Sequence, residues 1–359
     1  MSIRKLTKNF SLPRVTGNVT STTSNSLSAP TADIRTPGNG SRYYVWKSVG
    51  NHTLSISPTS TTIAYNKSNV IGTAFTGSAV TVAHVFVIGG GAGGWYWNGG
   101  GAGGAVQHPS YNVVPIHGSS VSIKVGGGGL AQVANTPVPA VPGTTNGSPS
   151  FFGNLIGVGG GNGYPPSGNA DPVWGNGCGG SAGQSANQPA VTHPGSNPGY
   201  INYGFSGGGT NFYAAGGAGG IGGNGPGGNS SGYTNGSNAP STGGVGAPFP
   251  GFEYSVLGVN PDPASPTENH FGGGGGGGSG ADGWVNNSGA PGQPGGVGGG
   301  GRSGKHNGGN CHPGACGSEP GGNGINNLGG GGGGCSGTNV NGGTGGSGLV
   351  VLRVPAWYN

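Results

Sequence analysis

A chain of 359 residues with 94 glycines and only 5% charged residues cannot build the interior of an ordinary globular domain of its size; typical domains hold roughly 7% glycine and about 25% charged residues. The formal net charge of +5 is uneven, because eight of the twelve basic residues fall within the first 67 positions. No apolar run reaches the roughly 18 residues that a bilayer-spanning helix needs.

Residues 1–41 are rich in Ser, Thr, Asn and Pro and poor in large apolar side chains. They read as an extended basic arm that orders only against a partner. Arg4, Lys5, Lys8 and Arg14 are its candidate docking residues. A docking arm for an acidic partner surface and a solvated terminus both fit this composition. The opening MSIRKLTKNFSLPRV lacks a continuous apolar stretch, so it is not expected to be a secretory signal.

Over residues 42–88 the segments RYYVWKSV, HTLSISP, TTIAY and SAVTVAHVFVI are rich in β-branched and aromatic residues, with turn formers between them. These predict strands, and the segment 79–88 is apolar enough to be buried. From residue 89 to 347 glycine dominates. VSIKV (121–125), SFFGNLIGV (150–158) and GFEYSVLGV (251–259) interrupt it as further predicted strands. GLVVLRV (348–354) predicts a closing strand. The two strong strands, 79–88 and 348–354, suit a pair in one sheet with the glycine-rich body as an excursion between them.

That body has a local period of three, as GGA-GGI-GGN at 216–224 and six glycine-led triplets over 289–306. Three residues per turn and about 3.1 Å rise describe a left-handed extended helix without internal hydrogen bonds. Where two of three positions are glycine, such helices can approach until their backbones bond laterally, which gives the peptide groups partners. Six triplets are too few for collagen. The expected fold is all-β: strands bracketing a glycine-rich body of packed polyglycine-II-type helices and loops, with no α-helix. The arm 1–41 precedes one domain over 42–359, with strands 42–88, body 89–347 and closing strand 348–354.

Candidate chemistry is sparse. Cys311 and Cys316 bracket HPGA beside His312, but no second tight pair accompanies them, so scattered thiols or a local disulfide are expected rather than zinc. None of the eight histidines stands beside a Ser or Cys in a nucleophile-type motif, and the seven carboxylates form no close pair. GxGxxG strings are expected by chance at this glycine content, and no helical period follows them. No enzyme, cofactor or metal is expected.

Aromatic residues cluster where the glycine runs pause. Trp95, Tyr96, Trp97, Tyr164, Trp174, Tyr200, Tyr203, Phe205, Phe212 and Tyr213 are the candidate receptor-binding residues, and Phe249, Phe252, Tyr254 and Trp284 share the pattern. Tyr and Trp offer rigid, amphipathic contact area at low entropy cost. The alternative reading is that these rings cap the glycine lattice and supply its apolar clusters.

HVFVIGGGAGG, VSIKVGGGG, SPSFFGNLIGVGGG and GGTGGSGLVVLRV, with WKSVGNHTLSI ahead of them, resemble the glycine-rich domain of tail fibres and virion proteins of tailed bacteriophages. The resemblance spans roughly residues 42–355, and the body is also similar to polyglycine-helix adhesins at phage fibre tips. It implies a compact domain presenting loops on a virion, as a tail fibre or fibre-tip adhesin. The alternative is a capsid decoration or fibre-stalk protein without a receptor role. Expected partners are other virion proteins, through the arm, and a host cell-surface glycan or outer-surface protein. Nucleic acid and membrane insertion are not expected. A homotrimer suits a fibre component, although no oligomer code can be read.

Overall fold

The computed structural model describes residues 19–22, 27–56, 61–65, 75–77, 82–94, 98–112, 120–131, 146–161, 201–204, 217–226, 242–277, 292–304, 319–335 and 340–355. Its strands in chain order are β1 (Val19–Thr22), β2 (Leu27–Ser28), β3 (Asp33–Arg35), β4 (Ser41–Trp46), β5 (Gly50–Ile56), β6 (Thr61–Tyr65), β7 (Phe75–Gly77) and β8 (Val82–Ile88). β9 (Ala105–Asn112), β10 (Ser120–Val125), β11 (Ser150–Phe152), β12 (Leu155–Gly157), β13 (Ile201–Tyr203) and β14 (Ala247–Pro248) follow. The helical turn α1 (Tyr254–Leu257), β15 (His270–Phe271) and β16 (Leu349–Pro355) complete the set. The protein is all-β, and every strand pairing is antiparallel.

Two sheets carry the architecture. One runs β12-β11-β10-β5-β2 and the other β13-β9-β8-β16-β4-β3. β16 lies between β8 and β4, with Val351 opposite both Phe86 and Val45. Alternate side chains of a strand point to opposite faces, and in β16 both faces are buried. Val350, Leu352 and Val354 join Trp46, Leu54, Val87, Ile123 and Phe152 between the sheets. Leu349 and Val351 join Phe86, Phe249, Phe252, Leu257 and Phe271 on the outer face. A strand buried on both faces reads as an unbroken apolar run, as LVVL does here.

The outer core is roofed by residues 247–271, and here the structure corrects one expectation. GFEYSVLGV (251–259) is predicted as a strand but forms α1, closed by Gly258 at φ 61°, with the Val259 N–H donating to Tyr254 O at 3.1 Å. The turn brings Tyr254 and Leu257 into the same core as Phe252 and Val259; a strand would send alternate residues to solvent. Residues 27–41, placed by composition in the arm, also differ. β2 pairs with β5 and β3 with β4, and Ala29 is buried between the sheets. Short strands at sheet edges need few large apolar residues, so composition does not reveal them.

Beyond β8 the glycine segments bond laterally with a period of three. Gly89 and Ala92 donate to Gly104 and Gly101 at 3.0 and 2.8 Å, Gly90 to Ser148 at 3.0 Å, and Gly91 and Gly94 to Gly346 and Gly343 at 2.9 and 2.8 Å. The carbonyls of Gly90, Gly91 and Ala92 accept from Gly160, Gly129 and Gly332 at 2.8, 2.8 and 2.9 Å. Segment 89–94 therefore has six neighbours, three by donation and three by acceptance. Segment 329–335 is bonded the same way: it donates to 272–277, 89–94 and 319–324 and accepts from 300–304, 340–348 and 98–104. Segment 272–277 is a third such hub, donating to 242–246, 98–104 and 300–304 and accepting from 217–222, 292–297 and 329–335. This is the lateral packing expected of polyglycine-II-type helices. An interior without large side chains is held by paired peptide groups.

Close approach explains the composition. A Cβ on Gly91 would stand 2.1 Å from Gly330 O, and one on Gly274 would stand 2.2 Å from Ala218 O. The third positions that point between neighbours accept a methyl group, and Ala92, Ala102 and Ala218 are fully buried there.

Candidate functional site

The lattice has a sheet end and a far end, fixed by connectivity. Segments 89–94, 126–131 and 272–277 leave the strands β8, β10 and β15, while 98–104, 146–149 and 340–348 lead back into β9, β11 and β16. Reversals at the sheet end are tight and described. Ile221 and Leu328 sit in the outer core at two of them. The third, Val297–Gly299, uses Gly298 at φ 101° and Gly299 at φ 96°, a region that only glycine enters without strain. Asp262 secures it: Oδ2 accepts the N–H groups of Gly298 and Gly299 at 2.6 and 2.9 Å, and Oδ1 accepts that of Ala264 at 2.9 Å.

The opposite ends of the segments also bond to one another. Gly94 donates to Gly343 at 2.8 Å, Gly217 to Pro226 at 3.0 Å, Gly304 to Gly334 at 2.9 Å and Gly321 to Asn341 at 3.0 Å. At this far end the described chain stops at 94, 131, 226, 277, 304 and 335 and resumes at 98, 146, 242, 292, 319 and 340. Connections of differing length thus start and finish on one rigid end of the molecule. This end is the candidate site, and backbone bonding positions it without the side chains of the connections.

Most sequence-predicted site residues lie outside the described residues. Trp95, Tyr96 and Trp97 fall between Gly94 and Asn98, both at the far end. Tyr164, Trp174 and Tyr200 fall between Gly161 and Ile201, and Phe205, Phe212 and Tyr213 between Gly204 and Gly217. Arg4, Lys5, Lys8 and Arg14 also lie outside the described residues. Tyr203 is described: it pairs with Ala105 in β13, the edge strand of the larger sheet. Phe249, Phe252 and Tyr254 are buried, with Phe86 centred 4.4 Å from Phe249 and 5.3 Å from Phe252. For this cluster the alternative reading holds, and the rings form core.

The described titratable groups are structural in character. Burial pushes the Cys335 thiol up to about 12, so it stays protonated and is a poor nucleophile. Burial, with Arg353 and then His108 nearby, lowers His84 to about 4. Arg35, then Lys47, hold the Asp33 carboxyl below its ordinary range through contacts of 2.6 and 2.7 Å. No group of three or more metal-ligating side chains occurs among the described residues, and none of their helices is long and apolar enough to cross a membrane. Sequence reasoning missed Asp262. Its only signal was an acid standing alone in a chain almost free of charge.

A family model described as a glycine-rich domain matches residues 68–298. No curated protein and no solved structure matches the chain significantly.

Proposed function

The chain belongs to the glycine-rich domain family, and from that premise we propose that it is a non-enzymatic component of a bacteriophage virion, a tail fibre or fibre-tip adhesin. In this reading the far end of the lattice presents receptor-contacting loops to a host surface, and the basic N-terminal arm docks to other virion proteins. One observation carries it: the lattice segments end together, on the side away from the sheets, at Gly94, Gly304, Gly334 and Gly343. The sequence attaches its connections there, among them Trp95–Trp97. A backbone-bonded platform tolerates connections of any composition, and rigid Tyr and Trp contacts on it suit recognition of a glycan or protein.

The test replaces residues 95–97 by a short Gly/Ser linker in the intact particle. Adsorption to host cells is expected to collapse while the variant still incorporates. Undiminished adsorption by particles containing the variant overturns the receptor role. Labelling that then finds the protein in many copies across the capsid identifies a decoration protein instead.

A further inference from the structure

Segment 340–348 departs from the hydrogen-bonding rule of the lattice on one side only. Its N–H groups point in three directions that repeat every three residues. Gly343 and Gly346 donate to Gly333 and Gly330 at 2.8 Å each, and Gly345 and Gly348 donate to Gly129 and Gly126 at 2.9 Å each. The third direction belongs to Thr344 and Ser347, and no backbone meets them. Thr344 N–H instead donates to Asn323 Oδ1 at 2.9 Å, and Ser347 N–H to Asn326 Oδ1 at 3.1 Å. The two asparagines stand three residues apart, as do their two donors. Their segment is already seated on this neighbour, with the Gly321 and Gly324 N–H groups bonded to Asn341 O and Thr344 O at 3.0 and 2.8 Å.

A carboxamide oxygen has the acceptor chemistry of a peptide carbonyl. We propose that Asn323 and Asn326 stand in for a missing lattice neighbour and close this edge against a glycine segment of a second copy of the chain. An open edge of evenly spaced N–H groups with few side chains is to a polyglycine lattice what an unpaired edge strand is to a sheet, a template for further addition. The residues that surround the edge make the occupant specific. Two-thirds glycine lets only another glycine-rich helix approach closely enough to bond, and this chain carries many.

Amide exchange and light scattering on the full chain test the idea. In the double variant N323A/N326A, the Thr344 and Ser347 amides are expected to exchange about tenfold faster, the loss of one bond each. Gly343 and Gly346 keep their protection, and the sample gains dimers or larger species. The acceptor-retaining pair N323D/N326D keeps slow exchange and the wild-type size. Unchanged exchange at Thr344 and Ser347 overturns the stand-in role. A variant with those amides opened but the wild-type size overturns edge closure. Equal loss of protection at Gly343 and Gly346 reduces both residues to general stability, which also overturns the proposal. If the double variant does not fold, N326A alone gives the same readings at Ser347.

Discussion

The Asp262 carboxylate accepts the Gly298 N–H at 2.6 Å, across 36 positions of sequence, and so ties the roof of the outer core to a reversal of the glycine lattice. Asp262 is 4% exposed, and its second bond from the same oxygen, to Gly299, shares the load. Asp262→Ala leaves two buried N–H groups without partners. It is expected to destabilise the fold by about 2–4 kcal/mol, since bonds to charged acceptors are the strong ones. Urea unfolding midpoints check this, with Asp262→Asn expected to fall between.

Glycines in the lattice differ sharply in what they tolerate. A Cβ on Gly331 would lie 1.8 Å from Gly100 O, whereas one on Gly127 meets only Val49 Cγ1 at 3.4 Å. Gly331→Ala forces two backbones apart and is expected to cost more than about 3 kcal/mol, the scale of overpacking an interior. Gly127→Ala is expected to stay within about 0.5 kcal/mol of the wild type. Thermal melts of the two variants side by side make the comparison.

Phe86 is the centre of the aromatic group beneath the roof, 4.4 Å from Phe249 and 5.3 Å from both Phe252 and Phe271 between ring centres. Phe86→Ala opens a cavity that three rings cannot fill together. A loss of about 3–5 kcal/mol is expected, read from denaturant unfolding. Chymotryptic cleavage in the roof segment, at Phe249, Phe252 or Tyr254, is expected to rise with it.

His84 couples stability to pH. Its ring is half-buried, 4.6 Å from Phe252, and Nε2 lies 2.7 Å from the Gln107 amide nitrogen, an arrangement that suits the neutral ring. The folded value of about 4 lies below the ordinary 6.5. Between these two values the unfolded chain binds the proton that the folded one refuses, so stability falls as pH drops through this window. Solvent screening of a half-buried group limits the effect to about 1–2 kcal/mol. Unfolding midpoints at pH 7, 5.5 and 4.5 are expected to slope downward in the wild type, and His84→Gln should flatten that slope.

Strand-forming residues made much of the framework legible. VAHVFVI and LVVLRV could be read as buried strands because β-branched side chains mark them, and they pair as β8 and β16. The period of three also showed in the composition. Its reversals did not. Residues 289–306 scan as six unbroken triplets, yet the chain turns back at Val297–Gly299, where Gly300 donates to Gly296 O at 3.0 Å. Glycine serves both the straight segment and the turn, so one letter hides two conformations. The same blindness covered Asn323 and Asn326. An asparagine in a glycine-rich stretch reads as turn chemistry, and only the geometry of its neighbour shows what it accepts. The roof was misjudged for another reason: apolar residues at 252, 254, 257 and 259 fit a strand pattern loosely, and Gly258 as a left-handed terminator decides for the helical turn.

β16, formed by residues 349–355, occupies the middle of the larger sheet, and segment 340–348 before it bonds to 89–94 at the heart of the lattice. During vectorial synthesis β4 and β8 must therefore wait for the glycine-rich body to be made before they meet their central partner. Contacts this distant in sequence slow folding. Closure of the larger sheet and closure of the lattice are thus coupled through the continuous run from segment 340–348 into β16.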